Sequence, residues 1–389
     1  MDSKQASGPG PGNRRSDLDW LTVLATLNIF FFHCARFFNF EDWHVKNNHL
    51  DPGLSLFVSL SAQWIMPLFF VLSGISSKYS LAFRNGGKYL ANRARRLLVP
   101  LVFGVFVLLA PVQVWIERVG HSQFEGGLLE FYPLYFKGFY AFGGNFAWMG
   151  LHLWYLEVLF VFTLLTYPLF IVKRKERARG HVSGMSSFFT RKGAVLLLAA
   201  PVFAMELLVN MQPQGLGMRA FGGWSLLTYL VFFIVGFLTA GDDRYRAGME
   251  RSRYISLILA VSASSLMFLF PIDLTFLAEV GQYVATVLVR SLNSWSWLTT
   301  FLGFGSKYLC FSNNILKYAR EAALPFYILH QTIIVVVGYY LASRPEGVLV
   351  KYLLLAAVSL AVIMAIYEFP IRRARVFRFL FGMGASASS

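Results

Sequence analysis

Residues 18–38 read LDWLTVLATLNIFFFHCARFF. A helix crosses a bilayer with about 20 mostly apolar residues, and this stretch is long enough to do so. Further apolar stretches of similar length follow at 54–76, 97–116, 148–172, 194–210, 223–240, 254–271, 281–305, 322–342 and 349–369. A membrane β-barrel would instead show short segments of alternating hydrophobicity. The sequence therefore predicts an all-α, polytopic membrane protein with about ten transmembrane helices.

The composition of the chain agrees with a membrane location. Of its 389 residues, 56% are hydrophobic and 14% are charged, whereas soluble domains are about one quarter charged. The net charge is +15, and most of the 35 Lys and Arg residues fall in alternate segments between the spans. Because basic loops stay in the cytosol, we expect both termini there and anionic membrane lipid as a partner, rather than nucleic acid.

The two ends of the chain differ from the rest. Residues 1–16 are polar and rich in Gly, Pro and Ser, and residues 383–389 are similar, so both predict disordered tails. Residues 17–382 then form one integral-membrane domain, without a cleavable signal peptide. The two cysteines, Cys34 and Cys310, are predicted on opposite sides of the membrane, so we expect no disulfide between them.

The first span carries a polar stripe. Asp19, Thr22, Thr26, His33 and Arg36 fall within roughly 100° of arc on a helix of 3.6 residues per turn. Ionisable groups at membrane depth are costly and usually line a cavity or a pathway. The alternative is that the two end charges are interfacial and the histidine is a buried hydrogen-bonding residue.

Other ionisable residues fall inside predicted spans: Glu157 in the fourth, Arg290 in the eighth and His330 in the ninth. We take three deep residues as candidate catalytic groups, namely His33, Glu157 and His330. Candidate substrate-binding residues are Asp19, Arg36, His152, Arg290 and Gln331.

A basic cluster precedes the third span. Arg93, Arg95 and Arg96 lie at its cytosolic end, and the first and last of them share one helix face. Guanidinium groups so placed suit a polyphosphate, although a positive-inside anchor would look the same. The chain contains no HExxH or CxxC motif, no Walker A loop and no dinucleotide fingerprint. We therefore expect no metal and no tightly bound cofactor.

Six stretches in order resemble the membrane acyltransferase family 3, closest to a branch that modifies periplasmic glucans. They are Leu18–Leu21 with Phe32–Arg36, Phe69–Gly74, Arg93–Pro100, His152–Leu156, Pro325–Gln331, and Tyr367–Glu368 with Ile371–Arg373. Together they extend over nearly the whole chain.

The resemblance implies a ten-helix enzyme of the bacterial inner membrane. It would take an acyl group from cytosolic acyl-CoA, with succinyl-CoA or acetyl-CoA as donor substrate, and transfer it to a glycan hydroxyl on the outer side. In the family pattern His33 matches the essential first-helix histidine, and Arg93 and Arg96 match the basic element near CoA. The family often has a basic residue eleven positions before that histidine, where this chain has Thr22.

Two further questions concern the chemistry. His33 would act as general base on the acceptor hydroxyl or would carry the acyl group, and Cys34 is a second conceivable carrier. The alternative function is a secondary transporter or exporter in which His33, Glu157 and His330 form a proton relay. A receptor or scaffold is disfavoured, because it gains nothing from charges at depth.

Overall fold

A computed structural model describes residues 15–178, 184–210, 222–271 and 273–384. Residues 1–14 and 385–389 of the predicted tails lie outside the described residues. The described chain is helical and contains no β-sheet, so the all-α class is confirmed. The helices are α1 (Ser16–Arg36), α2 (Pro52–Ala62), α3 (Ile65–Phe83), α4 (Gly86–Phe106), α5 (Leu109–Gly120), α6 (Leu128–Tyr135), α7 (Trp154–Ala178), α8 (Ala200–Asn210), α9 (Leu226–Thr239), α10 (Asp243–Phe268), α11 (Glu279–Tyr308), α12 (Asn314–Ala342), α13 (Val348–Ile366) and α14 (Arg375–Leu380).

Six helical segments in the described residues are apolar and long enough to cross a membrane. They are Ser16–Arg36, Pro52–Phe83, Gly86–Gly120, Leu151–Arg174, Asn314–Ala342 and Val348–Ile371. Helices α9 and α10 pass the same test only as a pair, which is bent by 110°. A helix occupies each of the ten predicted segments, but α8 is short and α11 is interrupted by polar residues such as Arg290 and Asn293.

Helix α1 has a buried side and an exposed side, the latter formed by Leu24, Leu27 and Phe31. It packs against α12, α2, α11 and α3, and its buried residues join the main hydrophobic core. Phe30 is fully buried and meets Phe326 of α12 edge to face, with ring centroids 5.5 Å apart. One face of α1 is thus fixed by apolar packing, and the polar stripe occupies another.

The segment 77–96 was predicted as a loop and is largely helical. Helix α3 continues to Phe83, and α4 already begins at Gly86, where the Asn85 side chain accepts a hydrogen bond from the Lys88 amide at 2.8 Å. An apolar scan misses this part of α4 because its first turns are polar. Arg93, Arg95 and Arg96 therefore lie within α4, about two turns or more after its start.

Helices α3 and α9 approach each other closely at two glycines. A Cβ atom on Gly74 would lie 2.1 Å from the Phe233 carbonyl oxygen, and one on Gly236 would lie 2.3 Å from the Val71 carbonyl oxygen. Small residues allow helix backbones to come this near in a membrane protein. The end of the Phe69–Gly74 stretch therefore serves the close packing of α3 against α9.

Candidate active site

A first cavity, of about 520 Å³, lies among α1, α3, α4, α7 and α12 at the end of the bundle where α1 begins. Its described lining includes Arg84, Arg93, Arg96 and Arg320, and we call it the arginine cavity. Asp19 is the one acidic residue in that described lining. The exposed side chains of Arg84 and Arg96 place the rim of the cavity at the surface. Four guanidinium groups facing one carboxylate suit a ligand that carries several negative charges.

Two of these arginines are held in place by the wall of the cavity. The Arg93 guanidinium donates to the Ser77 hydroxyl at 2.5 Å and lies 5.6 Å from the centroid of the Tyr89 ring. The Arg320 guanidinium pairs with the Asp19 carboxylate at 3.2 Å. Such contacts orient the cations before a ligand arrives, which lowers the entropy cost of binding.

A second cavity, of about 670 Å³, lies at the other end of α1. Its described lining contains His33, His44 and His152, and we call it the histidine cavity. Aromatic side chains form much of its wall; they are Phe32, Trp43, Tyr140, Trp148 and Trp154. Arg36, Glu41 and Gln331 also line it.

The hydrogen bonds of His33 determine which of its ring nitrogens carries the proton. His33 Nδ1 lies 3.0 Å from the Ile29 carbonyl oxygen, which can only accept, so Nδ1 bears the hydrogen. His330 Nδ1 faces the Tyr327 carbonyl at 2.6 Å in the same way, which leaves a lone pair on His330 Nε2. That lone pair lies 2.9 Å from His33 Nδ1 and accepts from it. In the neutral ring, His33 Nε2 is therefore the unprotonated, nucleophilic nitrogen.

A second polar cluster surrounds His44. Its Nδ1 is hydrogen-bonded to the Glu117 carboxylate, and its Nε2 lies 3.1 Å from the Gln331 amide nitrogen. The Tyr140 hydroxyl donates to both Glu117 oxygens, at 2.9 Å and 2.7 Å. Burial and the neighbouring carboxylate raise the pKa of Tyr140, so its hydroxyl remains a donor. The Glu117 and His44 side chains are 7% and 12% exposed.

The two cavities share two lining residues, Met66 and Tyr327. The Tyr327 hydroxyl donates to the His152 carbonyl oxygen at 2.5 Å, which holds the phenol ring in position. Nearby, the hydroxyls of Tyr155 and Ser73 lie 2.7 Å apart on the arginine-cavity side. We call Met66 and Tyr327 the barrier, because these two side chains lie between the cavities.

The structure places the whole polar stripe of α1 on cavity walls. Asp19, Thr22 and Thr26 line the arginine cavity, and His33 and Arg36 line the histidine cavity. The predicted residues His152 and Gln331 also line the histidine cavity, and Arg93 and Arg96 line the arginine cavity. These side chains come from three helices, α1, α4 and α12, and from the turn before α7.

Other predicted residues lie elsewhere. Arg95 is exposed on α4 and does not line the arginine cavity. Glu157 lies on α7 outside both cavities, and its Oε2 has no hydrogen-bond partner among the described residues. Arg290 binds the Gly223 carbonyl and stacks 4.1 Å over Trp224, behind the wall of the histidine cavity. His330 is fully buried behind His33, and Cys34 is fully buried and unpaired in the core.

Sequence reasoning missed several residues of the two cavities. They are Trp43, His44, Arg84, Tyr140, Tyr155, Arg320 and Tyr327. Glu117, which lines neither cavity but binds His44, was missed as well. One signal was available, because 8 of the 15 residues in the segment 39–53 are Asp, Glu, His or Asn. Among the described residues, no group of three His, Cys, Asp or Glu side chains is arranged to hold a metal ion.

Comparison with known proteins places the chain in a family. The acyltransferase domain of family 3 matches residues 15–368, which contain every residue of the two cavities. The chain belongs to acyltransferase family 3. It is similar to the glucans biosynthesis protein C of Salmonella paratyphi B, Salmonella dublin and Salmonella enteritidis PT4, at 23% identity over 372 residues and 93% of each chain. No solved structure matches it.

Family membership and the apolar helices together identify a multi-pass membrane acyltransferase. Acyltransferases need a nucleophile or base close to a site for the activated acyl group. In this acyltransferase, His33 offers an unprotonated nitrogen in one cavity, and the neighbouring cavity is cationic.

Proposed function

We propose that this acyltransferase takes a succinyl or acetyl group from acyl-CoA and transfers it to a hydroxyl of a cell-envelope glycan. The observation that carries the proposal is that one face of α1 lines both cavities, with a cationic site at one end and His33 at the other. CoA has a matching polarity, because its phosphates and its thioester are at opposite ends of the molecule.

The arginine cavity receives the donor in this proposal. Charge-assisted hydrogen bonds from arginine to phosphate contribute roughly 1.5–3 kcal/mol each, and acyl-CoA is then a substrate rather than a tightly bound cofactor. Asp19 and His33 are 14 residues apart, or about 21 Å along the helix, so the acyl end extends deep into the bundle. Arg320, paired with Asp19 one turn before Thr22, supplies a cation where the family often has one on α1.

The histidine cavity receives the acceptor. Pyranose rings pack their C–H faces on aromatic side chains, and Trp43, Trp148 and Tyr140 line this cavity. Arg36 lies in the same cavity, where it pairs with Glu41, and in this proposal the free carboxylate of a succinyl group takes the place of Glu41. The similarity to proteins named glucans biosynthesis protein C supports a glucan as the acceptor.

The proposal includes a topology. Ten crossings with both termini in the cytosol, in a bacterial inner membrane, put the arginine cavity on the cytosolic side, where acyl-CoA is found. The excess of Lys and Arg in alternate loops supports this orientation. The histidine cavity then faces the outer side, where envelope glycans lie.

A proton-coupled transporter is less well supported. That alternative needs Glu157 to exchange protons with His33 and His330. The two histidines are hydrogen-bonded to each other, whereas Glu157 lies outside the cavity that His33 lines.

The proposal is tested by binding and turnover of acetyl-CoA and succinyl-CoA with purified protein in detergent. We expect wild-type protein to bind at least one donor and to release CoA. His33→Ala should bind that donor with unchanged Kd and release no CoA above background, because it lacks the reacting nitrogen. Absence of binding by well-folded wild-type protein, or full CoA release by His33→Ala, would overturn the proposal.

The donor site is tested with a matched pair of variants. Arg95 and Arg96 are adjacent, exposed and equally charged, but only Arg96 lines the arginine cavity. Arg96→Gln should raise the Kd for acyl-CoA roughly tenfold or more, from the loss of one charge-assisted contact. Arg95→Gln should change it less than about twofold. Equal changes of Kd in Arg95→Gln and Arg96→Gln would mean that the affinity for acyl-CoA depends on surface charge alone.

A further inference from the structure

His44 is a second histidine in the cavity that contains His33. It lies in the segment between α1 and α2, and the Trp43 ring contacts the rings of both His33 and His44. The Trp43 ring stacks at 6.3 Å from His33 and lies 5.6 Å from the ring of His44. Both histidines line the histidine cavity, His33 from α1 and His44 from the segment that follows α1.

The contacts of His44 resemble those of a histidine base. Its Nδ1–H donates to the Glu117 carboxylate, which leaves a lone pair on Nε2, and the Gln331 amide donates to that lone pair. Glu117 is itself held by two hydrogen bonds from Tyr140 and by Arg118, 3.7 Å away. A buried carboxylate in this position fixes the imidazole tautomer and stabilises the imidazolium that forms when Nε2 takes a proton.

Transfer through His33 needs such a second base. If His33 Nε2 forms a bond to the acyl carbon, that nitrogen has no lone pair left for the proton of the acceptor hydroxyl. Its Nδ1 is already bonded to Ile29 and His330. His330 and Cys34 do not line the cavity. His152 does line it, but this residue is only 6% exposed, its Nε2 is bonded to the Ile328 carbonyl, and no carboxylate of the described residues orients its ring. His44 Nε2 faces Gln331, which does line it, and a substrate hydroxyl can take the place of the Gln331 amide.

We propose that His33 carries the acyl group and that His44, oriented by Glu117, is the base that takes the proton of the acceptor hydroxyl. The inference rests on the proposed function. It assigns the two steps of the reaction to two histidines, and it makes Glu117 a positioning residue.

The first step joins the acyl group to His33. Nε2 attacks the thioester carbonyl carbon, a C–N bond forms, the C–S bond breaks, and CoA leaves as a thiolate that takes a proton from water. The proton on Nδ1 stays, shared with His330 Nε2, so the product is an acyl-imidazolium.

The second step releases the acyl group to the acceptor. The acceptor oxygen attacks the acyl carbon, a C–O bond forms and the C–N bond breaks, which returns His33 to the neutral ring. The hydroxyl proton moves to His44 Nε2, and the imidazolium then loses it to water. The sum is one thioester and one alcohol converted to one ester and one thiol.

The experiment separates the two steps with acyl-CoA labelled in the acyl group, β-linked glucose oligomers as acceptor, and rapid quenching. In His44→Gln we expect labelled protein to accumulate with release of about one equivalent of CoA. Transfer to the oligomers should fall at least about a hundredfold, the loss typical of a missing general base. His33→Ala should acquire no label.

The matched control is His121→Gln, an exposed histidine four residues after Glu117 that lines neither of the two cavities. It should label, release CoA and transfer as the wild-type protein does. Added imidazole should restore part of the transfer in His44→Gly. In Glu117→Gln, kcat for transfer should fall while KM for the oligomers is unchanged.

Three outcomes are decisive. Transfer by His44→Gln within about twofold of wild type would overturn the inference and leave the proposed function intact. Equal loss of labelling and transfer in His44→Gln, together with no rescue of His44→Gly by imidazole, would show that His44 only supports the fold. Absence of acyl-CoA binding by the wild-type protein would instead overturn the proposed function itself.

Discussion

His33 has two hydrogen-bond acceptors at one ring nitrogen and none among the described residues at the other. The Ile29 carbonyl and His330 Nε2 both face its Nδ1, at 3.0 Å and 2.9 Å. The Ile29 contact comes from the same helix, and the His330 contact comes from α12. Removing the His330 ring therefore weakens, but does not abolish, the preference for a proton on Nδ1.

His330 is expected to act through His33. In His330→Leu we expect the rate of CoA release to fall about tenfold to a hundredfold, since the acceptor that holds the His33 proton is lost. His330→Gln offers an amide oxygen in its place and should recover most of that rate. Stopped-flow release of CoA and the Kd of acyl-CoA provide the measurements. If both variants lose activity equally and also fail to bind the donor, the ring of His330 serves packing alone.

The residues of the site differ in how far the sequence could predict them. The stripe from Asp19 to Arg36 is visible in the sequence because a single helix sets its period. The His33–His330 bond joins residues 297 positions apart, and the His44–Glu117 bond joins residues 73 positions apart. Such contacts depend on how helices pack and where loops fold back. No periodicity within one segment indicates them.

At the scale of helices, the crossing of α3 and α9 depends on glycine. Any side chain at Gly74 would place its Cβ within 2.1 Å of the Phe233 carbonyl, so one backbone must move. Helix α3 also provides Ser73 to the arginine cavity and Met66 to the barrier. A shift of α3 therefore changes both cavities.

Gly74→Ala is expected to destabilise the protein by about 1–3 kcal/mol, the usual cost of overpacking. The measurement is the unfolding midpoint in detergent. Gly87→Ala is the control, because no atom lies within 4 Å of a Cβ placed there, in the first turn of α4. It should leave the midpoint unchanged or slightly raised. An unchanged midpoint in Gly74→Ala would mean that α3 and α9 can separate without cost.

Helices were predicted better than their boundaries. The apolar stretch 97–116 is divided between α4 and α5, and 54–76 between α2 and α3, with Pro67 in the first turn of α3. An apolar scan finds the part of a helix that prefers lipid. It does not find polar turns that continue the same helix, as in the first turns of α4, nor short breaks such as Val107–Leu108 inside an apolar stretch.

Across the described part of the molecule, the two cavities enter the bundle from opposite ends and share two lining residues, Met66 and Tyr327. The all-α class and the basic cluster on α4 follow from composition and motif. The barrier does not, because its two residues look like ordinary apolar and aromatic core residues in the sequence. Their position becomes apparent only when α3 and α12 are packed around α1.

The same barrier has an electrical consequence. Where water-filled cavities enter from both sides, most of the transmembrane voltage falls across the thin layer between them. In the proposed function, a succinyl group carries one negative charge through that layer, and an acetyl group carries none. A charge that crosses the full voltage gains or loses about 2.3 kcal/mol per 100 mV.

In vesicles with a potassium-diffusion potential, negative on the arginine-cavity side, the ratio of succinyl to acetyl transfer should rise. At 100 mV the ratio can rise at most roughly fiftyfold, which corresponds to about 2.3 kcal/mol for one charge that crosses the full voltage. Reversing the voltage should lower the ratio. A constant ratio would mean that the acyl group crosses no focused field at Met66 and Tyr327. A ratio that rises as expected would mean that the voltage of an energised membrane helps to select which acyl group the protein transfers.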